Sequence, residues 1–255
     1  MPTHLSLDQH LETVASQGTA LGDRAREAGL DADVPTCPAW TVRDLVSHQG
    51  MIHRWAAAHL RGEGDHDTTV SQREAATTAD LLGWYSQGLE AVLEAAGSAP
   101  DDLQAMVFLR DAPLPRRFWA RRQAHETTIH GADALAARLG RWPTADEVEI
   151  DPEMAADGID ELLSGFLPRG KGKLRFDDPV TLVVRTEDTG HAWTVHIDDE
   201  SNTVTVGEAD SPDALATGRA AELYLGLWNR GNEITMSGPS DLLDRWRQLV
   251  RVSWS

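Results

Sequence analysis

The chain has 255 residues, 41% of them hydrophobic and 25% charged, an ordinary globular composition with room for one large domain or two small ones. Its 23 basic against 41 acidic residues give a formal charge of −18, which argues against nucleic acid or an anionic membrane surface as the main partner. A single cysteine, Cys37, excludes an intramolecular disulfide and a Cys-based zinc cluster.

The N-terminal stretch MPTHLSLDQHLETVAS lacks a basic region followed by an apolar run, and no run of 18 apolar residues occurs anywhere, so a cytosolic protein with no membrane partner is expected. Leu5 to Gly29 carries Leu7, Leu11, Val14, Leu21 and Ala25 on one stripe and reads as a first amphipathic helix. The loop DADVPTCPAW follows, and its kinked Pro-Thr-Cys-Pro setting gives Cys37 a structural rather than a catalytic reading. Thr41 with Asp44 three residues on resembles a capping box and opens a second helix to about Leu60. Its stripe is Leu45, His48, Ile52, Trp55 and His59, with His48 standing where a core leucine is expected.

Arg61 to Val70 is Gly- and Asp-rich and reads as a mobile loop. A third helix is expected from about Gln72 to Ala96, and Ala105 to Leu109 as a small strand or an extended connection. Phe118 to Arg138 reads as a helix of about six turns between Pro115 and Gly140. Four long helices predict an antiparallel four-helix bundle over residues 1–145.

Beyond Arg141 the texture changes. A helical segment Pro152 to Phe166, the basic link PRGKGK, and three short β-branched runs (Val180 to Arg185, Trp193 to Ile197, Asn202 to Val206) come next. A helix from Ala220 to Trp228, a short strand Ile234 to Met236 and a closing helix to about Val250 complete an α+β domain over residues 146–255.

On the helix beginning at Phe118, the residues Trp119, Gln123, Glu126, His130, Asp133 and Ala137 recur at alternating spacings of four and three and share a face. Glu126 and His130 stand one turn apart, close enough to reach one metal ion, although such a pair on an arbitrary helix is more often solvated. The pattern is not HExxH: after His125 and Glu126 the next histidine comes one residue too late, and His125 projects away from His130. His48 supplies a third donor. Two nitrogens and one carboxylate leave an open position, the arrangement of a catalytic zinc site rather than a structural one. Asp133 is placed either to support His130 or to face solvent, and His53 and His125 lie off the stripes.

The segments CPAWTVRDLVSHQGMIHRW and AHETTIHGADALAARLG resemble the mycothiol-dependent maleylpyruvate isomerase family, one of the wider DinB-like metal-binding four-helix bundles. GRAAELYLGLWNR resembles that family's C-terminal module, a sterol-carrier-like α+β fold. The resemblance implies a divalent metal, usually zinc, on His48, Glu126 and His130, with mycothiol as cosubstrate. It further implies an arginine from the C-terminal domain near the site, for which Arg230 is the first candidate and Arg219 the second; both also read as helix-terminal surface residues. One departure stands out: the family often carries Arg directly after the second metal histidine, where this chain has Gly131.

The expected partners are therefore a low-molecular-weight thiol and a small electrophile, in an S-transferase or a cis–trans isomerase reaction. A non-catalytic carrier of an apolar ligand and a metal-dependent hydrolase are the alternatives, separated by whether turnover needs a thiol.

Overall fold

The computed structural model describes residues 5–64, 66–169 and 174–252. The chain divides into two compact units, one of Leu5–Phe108 with Ala112–Pro143 and one running from Thr144 onward with Leu109–Asp111.

The first unit is an antiparallel four-helix bundle. Its long helices are α1 (Leu7–Ala28), α2 (Val42–Leu60), α4 (Leu81–Ser98) and α5 (Pro115–Leu139), with a short α3 (Thr68–Thr77) packed on α2. Helix α1 lies against α5 and α2 against α4, while α1 also meets α4 and α2 also meets α5. Local chemistry sets the helix ends. Ser6 and Gln9 cap α1 reciprocally, and Thr41 and Asp44 do the same for α2, with Thr41 N–H donating to Asp44 Oδ2 at 2.8 Å. Pro115 occupies the first turn of α5, and Gly140 ends it in the left-handed region at φ 65°.

The bundle core gathers Leu21, Val34, Leu45, Val46, Trp84 and Tyr85, and the buried Tyr85 hydroxyl donates to Gly18 O at 2.9 Å. Helices α2 and α4 approach so closely at Gly50 that a Cβ there would overlap the Trp84 ring. Every residue of α5 from Phe118 to Ala137 is buried, polar ones included.

Two expectations are corrected here. The single helix over Gln72 to Ala96 is two helices, because Thr78 turns extended (φ −67°, ψ 139°) and Asp80 starts a new helix by accepting from Gly83 N–H at 2.9 Å. The loop over Arg61 to Val70 is correspondingly shorter, since Asp67 caps α3 by accepting from Thr69 N–H at 2.9 Å. Of the two alternatives for Ala105 to Leu109, the structure has the connection, with no regular strand.

The second unit opens with α6 (Ala145–Val148) and α7 (Pro152–Asp160), which continues through a π-helical turn (Glu161–Phe166) into a 3₁₀ turn (Leu167–Arg169). Gly170 to Lys173 of the expected basic link lie outside the described residues. A four-stranded sheet follows: β1 (Val180–Thr186), β2 (Ala192–Ile197), β3 (Asn202–Val206) and β4 (Ala214–Gly218), in the order β3-β2-β1-β4. β1 and β2 pair antiparallel (Val183 opposite Thr194), as do β2 and β3 (Val195 opposite Val204), whereas β4 runs parallel to β1 (Val184 opposite Ala216).

Helices α8 (Ala220–Leu227) and α9 (Leu242–Leu249) complete the unit. Three tryptophans fasten helices and sheet through their indole N–H groups: Trp193 to Asp160 Oδ1 at 3.1 Å, Trp228 to Gly158 O at 3.0 Å, and Trp246 to Leu227 O at 2.9 Å. The strand expected at Ile234 to Met236 is only an isolated bridge from Met236 to Ala216. Among the described residues no helix is long and apolar enough to cross a membrane.

Candidate metal centre

The capping box at Thr41 fixes where α2 begins, and the helical period then turns His48 inward, one turn after the fully buried Leu45. On α5 the same period brings Glu126 and His130 to one side. His48 Nε2 lies 3.4 Å from Glu126 Oε1, and His130 Nε2 lies 3.3 Å from the same oxygen. The three residues form a group whose donor atoms all fall within 4.8 Å of one another, a group that could hold a metal ion. Their side chains are 16%, 6% and 9% exposed, so the group is nearly closed to solvent except beside His48.

Each donor is held from behind. Arg122, one turn before Glu126, donates from Nη2 to Glu126 Oε2 at 2.8 Å, which leaves Oε1 turned to the two imidazoles. Burial alone would raise the Glu126 carboxyl, but the Arg122 guanidinium and the hydrogen bonds from His130 and His48 outweigh it and hold the group well below its usual range. His130 Nδ1–H donates to Asp133 Oδ2 at 2.9 Å. Burial opposes a charge on His130, yet the Asp133 and Glu126 carboxylates prevail and raise it to about 9.

Asp133 does not face solvent. It is fully buried and accepts from Thr36 Oγ1 at 2.5 Å and from the Cys37 thiol at 3.5 Å, besides His130. The Trp40 ring closes the cluster, tilted against His48 at 5.0 Å and stacked on His130 at 5.8 Å between centroids.

The structure thus brings together His48, Glu126, His130 and Asp133. His53 and His125 stand apart from them. His53 is fully buried, its Nε2 2.8 Å from Gln49 Nε2 and 3.1 Å from Thr127 Oγ1, and burial drives it down to about 3. His125 meets the ring of His10 edge-on at 6.3 Å. Arg230 and Arg219 belong to the second unit. Arg230, just past α8, donates from Nη1 to Trp228 O at 3.2 Å, and Arg219, at the start of α8, pairs with Asp146 and Glu222 at 2.6 and 2.8 Å. Sequence reasoning missed Thr36, Trp40 and Arg122. Arg122 was findable from its spacing of four to Glu126; the two loop residues carry no periodic signal.

Comparison with known families bears on this arrangement. The model of the mycothiol maleylpyruvate isomerase N-terminal domain matches residues 11–135, and that of the same family's C-terminal domain matches residues 153–245. The chain belongs to this family.

Two solved structures agree with the family in fold. The mycothiol-dependent maleylpyruvate isomerase is 14% identical with a TM-score of 0.62, and a histidine-to-alanine mutant of it is 12% identical with a TM-score of 0.64. Each match covers 93% of this chain and 96% of the other. No curated protein matches the chain. Within the maleylpyruvate isomerase family, then, this member keeps both domains over nearly the full length of its structural relatives while sharing few residues with them.

Proposed function

We propose that this protein is a metal-dependent enzyme that activates a small thiol, mycothiol by family membership, for addition to an electrophilic carbon, in a cis–trans isomerisation of the maleylpyruvate type. The observation that carries the reading is the convergence of His48 Nε2 and His130 Nε2 on Glu126 Oε1 at 3.4 and 3.3 Å. Donors of a tetrahedral zinc site with bonds of about 2.0–2.1 Å sit about 3.3–3.4 Å apart. The donor set fits in chemistry as well as spacing. Two imidazoles and one carboxylate suit a divalent cation of the zinc class, and three protein donors leave one position for a ligand from solution.

When bound, such a cation lowers the pKa of a coordinating thiol so that thiolate is present at neutral pH. The chain's own residues prepare for it. Arg122 keeps Glu126 an anionic donor. Asp133 holds one proton of His130 on Nδ1, so Nε2 is the nitrogen that would turn its lone pair to a cation once its own proton is released. The near-complete burial of Glu126 and His130 keeps bulk water from competing for the cation.

The reaction assigned to this site is an addition followed by an elimination. The thiolate sulfur adds to one carbon of a conjugated cis double bond, which becomes single and rotates. Expulsion of the same sulfur restores the thiolate and leaves the trans product. In between, the electron pair of the double bond rests on the conjugated carbonyl as an enolate. Protonation of that enolate from solvent and release of the thioether before elimination would make the same first step an S-transfer, which is how isomerase and transferase outcomes are told apart.

The test begins with the metal content of protein purified without chelator, wild type beside His130→Ala. About one divalent ion per chain, lost in the variant, supports the site. The loaded wild type is then assayed on maleylpyruvate with and without mycothiol. Isomerisation that needs the thiol upholds the reading. Absence of stoichiometric metal even after incubation with zinc, or turnover without any thiol, defeats it.

A further inference from the structure

We propose that Thr36, on the loop between α1 and α2, is a positioning residue for the metal donor His130, acting through Asp133. The inference rests on the metal-centre reading above and concerns how this chain organises that centre in advance.

Asp133 is the link. Its carboxylate is fully buried, and an ionised carboxylate only accepts, so each neighbour must donate to it. Thr36 O–H donates to Oδ1 at 2.5 Å, and His130 Nδ1–H donates to Oδ2 at 2.9 Å, with the Cys37 thiol also on Oδ2 at 3.5 Å. The two oxygens therefore have different tasks. The Thr36 bond fixes the rotation of the carboxylate about its own axis, and that rotation decides whether Oδ2 points at the imidazole. Removing the Thr36 hydroxyl takes away the hydrogen bond that restrains Oδ1, and with it part of the restraint that keeps Oδ2 on His130 Nδ1, the contact that sets the tautomer and orientation of the ring.

The loop is built to hold Thr36 still. Val34 N–H donates to Trp40 O at 3.0 Å, Cys37 N–H to Val34 O at 2.9 Å, and Trp40 N–H to Cys37 O at 2.8 Å, while Asp33 and Thr41 form a bridge at the loop's mouth. Val34 is fully buried in the bundle core, and Thr36 is 7% exposed. The same loop places Trp40 on the His130 ring. One short segment thus touches His130 twice, through Asp133 at Nδ1 and through the indole on its face, although Thr36 and Asp133 are 97 positions apart.

The test measures zinc affinity by chelator competition, together with thermal unfolding of the metal-free protein, for wild type, Thr36→Val, Thr36→Ser, Asp133→Asn and the Thr36→Val/Asp133→Asn double variant. Val keeps the shape of Thr and removes the hydroxyl; Ser keeps the hydroxyl. Loss of a partner behind a metal ligand typically weakens binding by about 10–100-fold, and Thr36 stands one bond further out, so about three- to ten-fold weaker binding is expected for Thr36→Val. Thr36→Ser should bind within about two-fold of wild type, and Thr36→Val should add nothing in the Asp133→Asn background.

Equal zinc affinity of wild type and Thr36→Val overturns the proposal, as does a full, additive loss in the double variant. A fall in unfolding temperature with unchanged affinity shows a structural role only and overturns it too. Should wild type itself bind no zinc, the metal-centre reading fails first, an outcome separate from a wild type that binds beside a Thr36→Val that binds equally.

Discussion

Arg122 and Glu126 form a buried ion pair within α5, Nη2 to Oε2 at 2.8 Å, with side chains only 1% and 6% exposed. A buried charge tolerates the loss of its partner badly, because its desolvation is no longer compensated. Arg122→Met should therefore destabilise the metal-free protein by about 3–5 kcal/mol in urea unfolding. Adding Glu126→Gln removes the stranded charge and should recover part of that loss. If the double variant is no more stable than Arg122→Met, the stranded carboxylate is not the cause.

The buried histidines predict a stability maximum near pH 6.5 for the metal-free protein. His130 is raised to about 9, so its contribution is complete below 6.5 and is lost as pH rises through 9. His53 is lowered to about 3 by burial, so its contribution is complete above 6.5 and is lost as pH falls toward 3. Glu126, held well below its usual value, adds to the same acid limb below about pH 4.5. Urea midpoints measured from pH 4 to 9.5 should rise and then fall. The alkaline limb should be on the order of 2–3 kcal/mol and should vanish in His130→Gln, which keeps the part of the acid limb that comes from the burial of His53. A His130→Gln profile that retains the alkaline limb counts against this assignment.

Zinc held at the proposed site would displace the proton on His130 Nε2, so its stabilising effect should depend on pH in the opposite sense. A ligand bound only by the folded state at about 100 times its Kd adds about 2.7 kcal/mol. At a fixed zinc concentration, the upward shift in unfolding temperature should grow from pH 6 to pH 8.5 and disappear in His48→Ala and His130→Ala. A shift that is independent of pH, or that survives both variants, places zinc elsewhere on the chain.

The ease of reading this chain varied with how local the deciding interactions are. Helix α5 was legible because Pro115 and Gly140 bracket it and its polar residues recur at the helical period. The α2 start was legible from Thr41 and Asp44, and with both helices in register the three donors followed. The break between α3 and α4 was not, since no Gly or Pro interrupts the chain between Gln72 and Leu82 and only the Thr78 and Asp80 side chains mark it. Strand β4 was missed because Ala-Leu-Ala-Thr-Gly carries little β-branched or aromatic character and is a strand through its parallel pairing with β1. Thr36 and Trp40 escaped for a different reason. Their roles depend on where an irregular loop sets them against a helix almost a hundred residues later, and no spacing rule reaches that far.

Gly131, directly after His130, makes the last prediction, because it sits mid-helix where Gly costs about 1 kcal/mol relative to Ala. A Cβ at this position would come within 3.3 Å of Gln17 Oε1 and 3.5 Å of Arg24 Nη1, and Arg24 Nη1 already donates to Gly131 O at 3.0 Å. The Gln17 amide is the end of a flexible side chain and can give by a few tenths of an ångström. Gly131→Ala should therefore be neutral or stabilising by up to about 1 kcal/mol, with zinc affinity unchanged. Gly131→Arg is a different matter. It would set a second guanidinium beside Arg24 at a buried position, so like-charge repulsion and overpacking should destabilise the protein by about 1–3 kcal/mol or more. The pair is measured by urea unfolding of the metal-free forms. A Gly131→Arg variant as stable as wild type would mean that Arg24 yields the space readily, and that an arginine after the second histidine is compatible with this bundle as it stands.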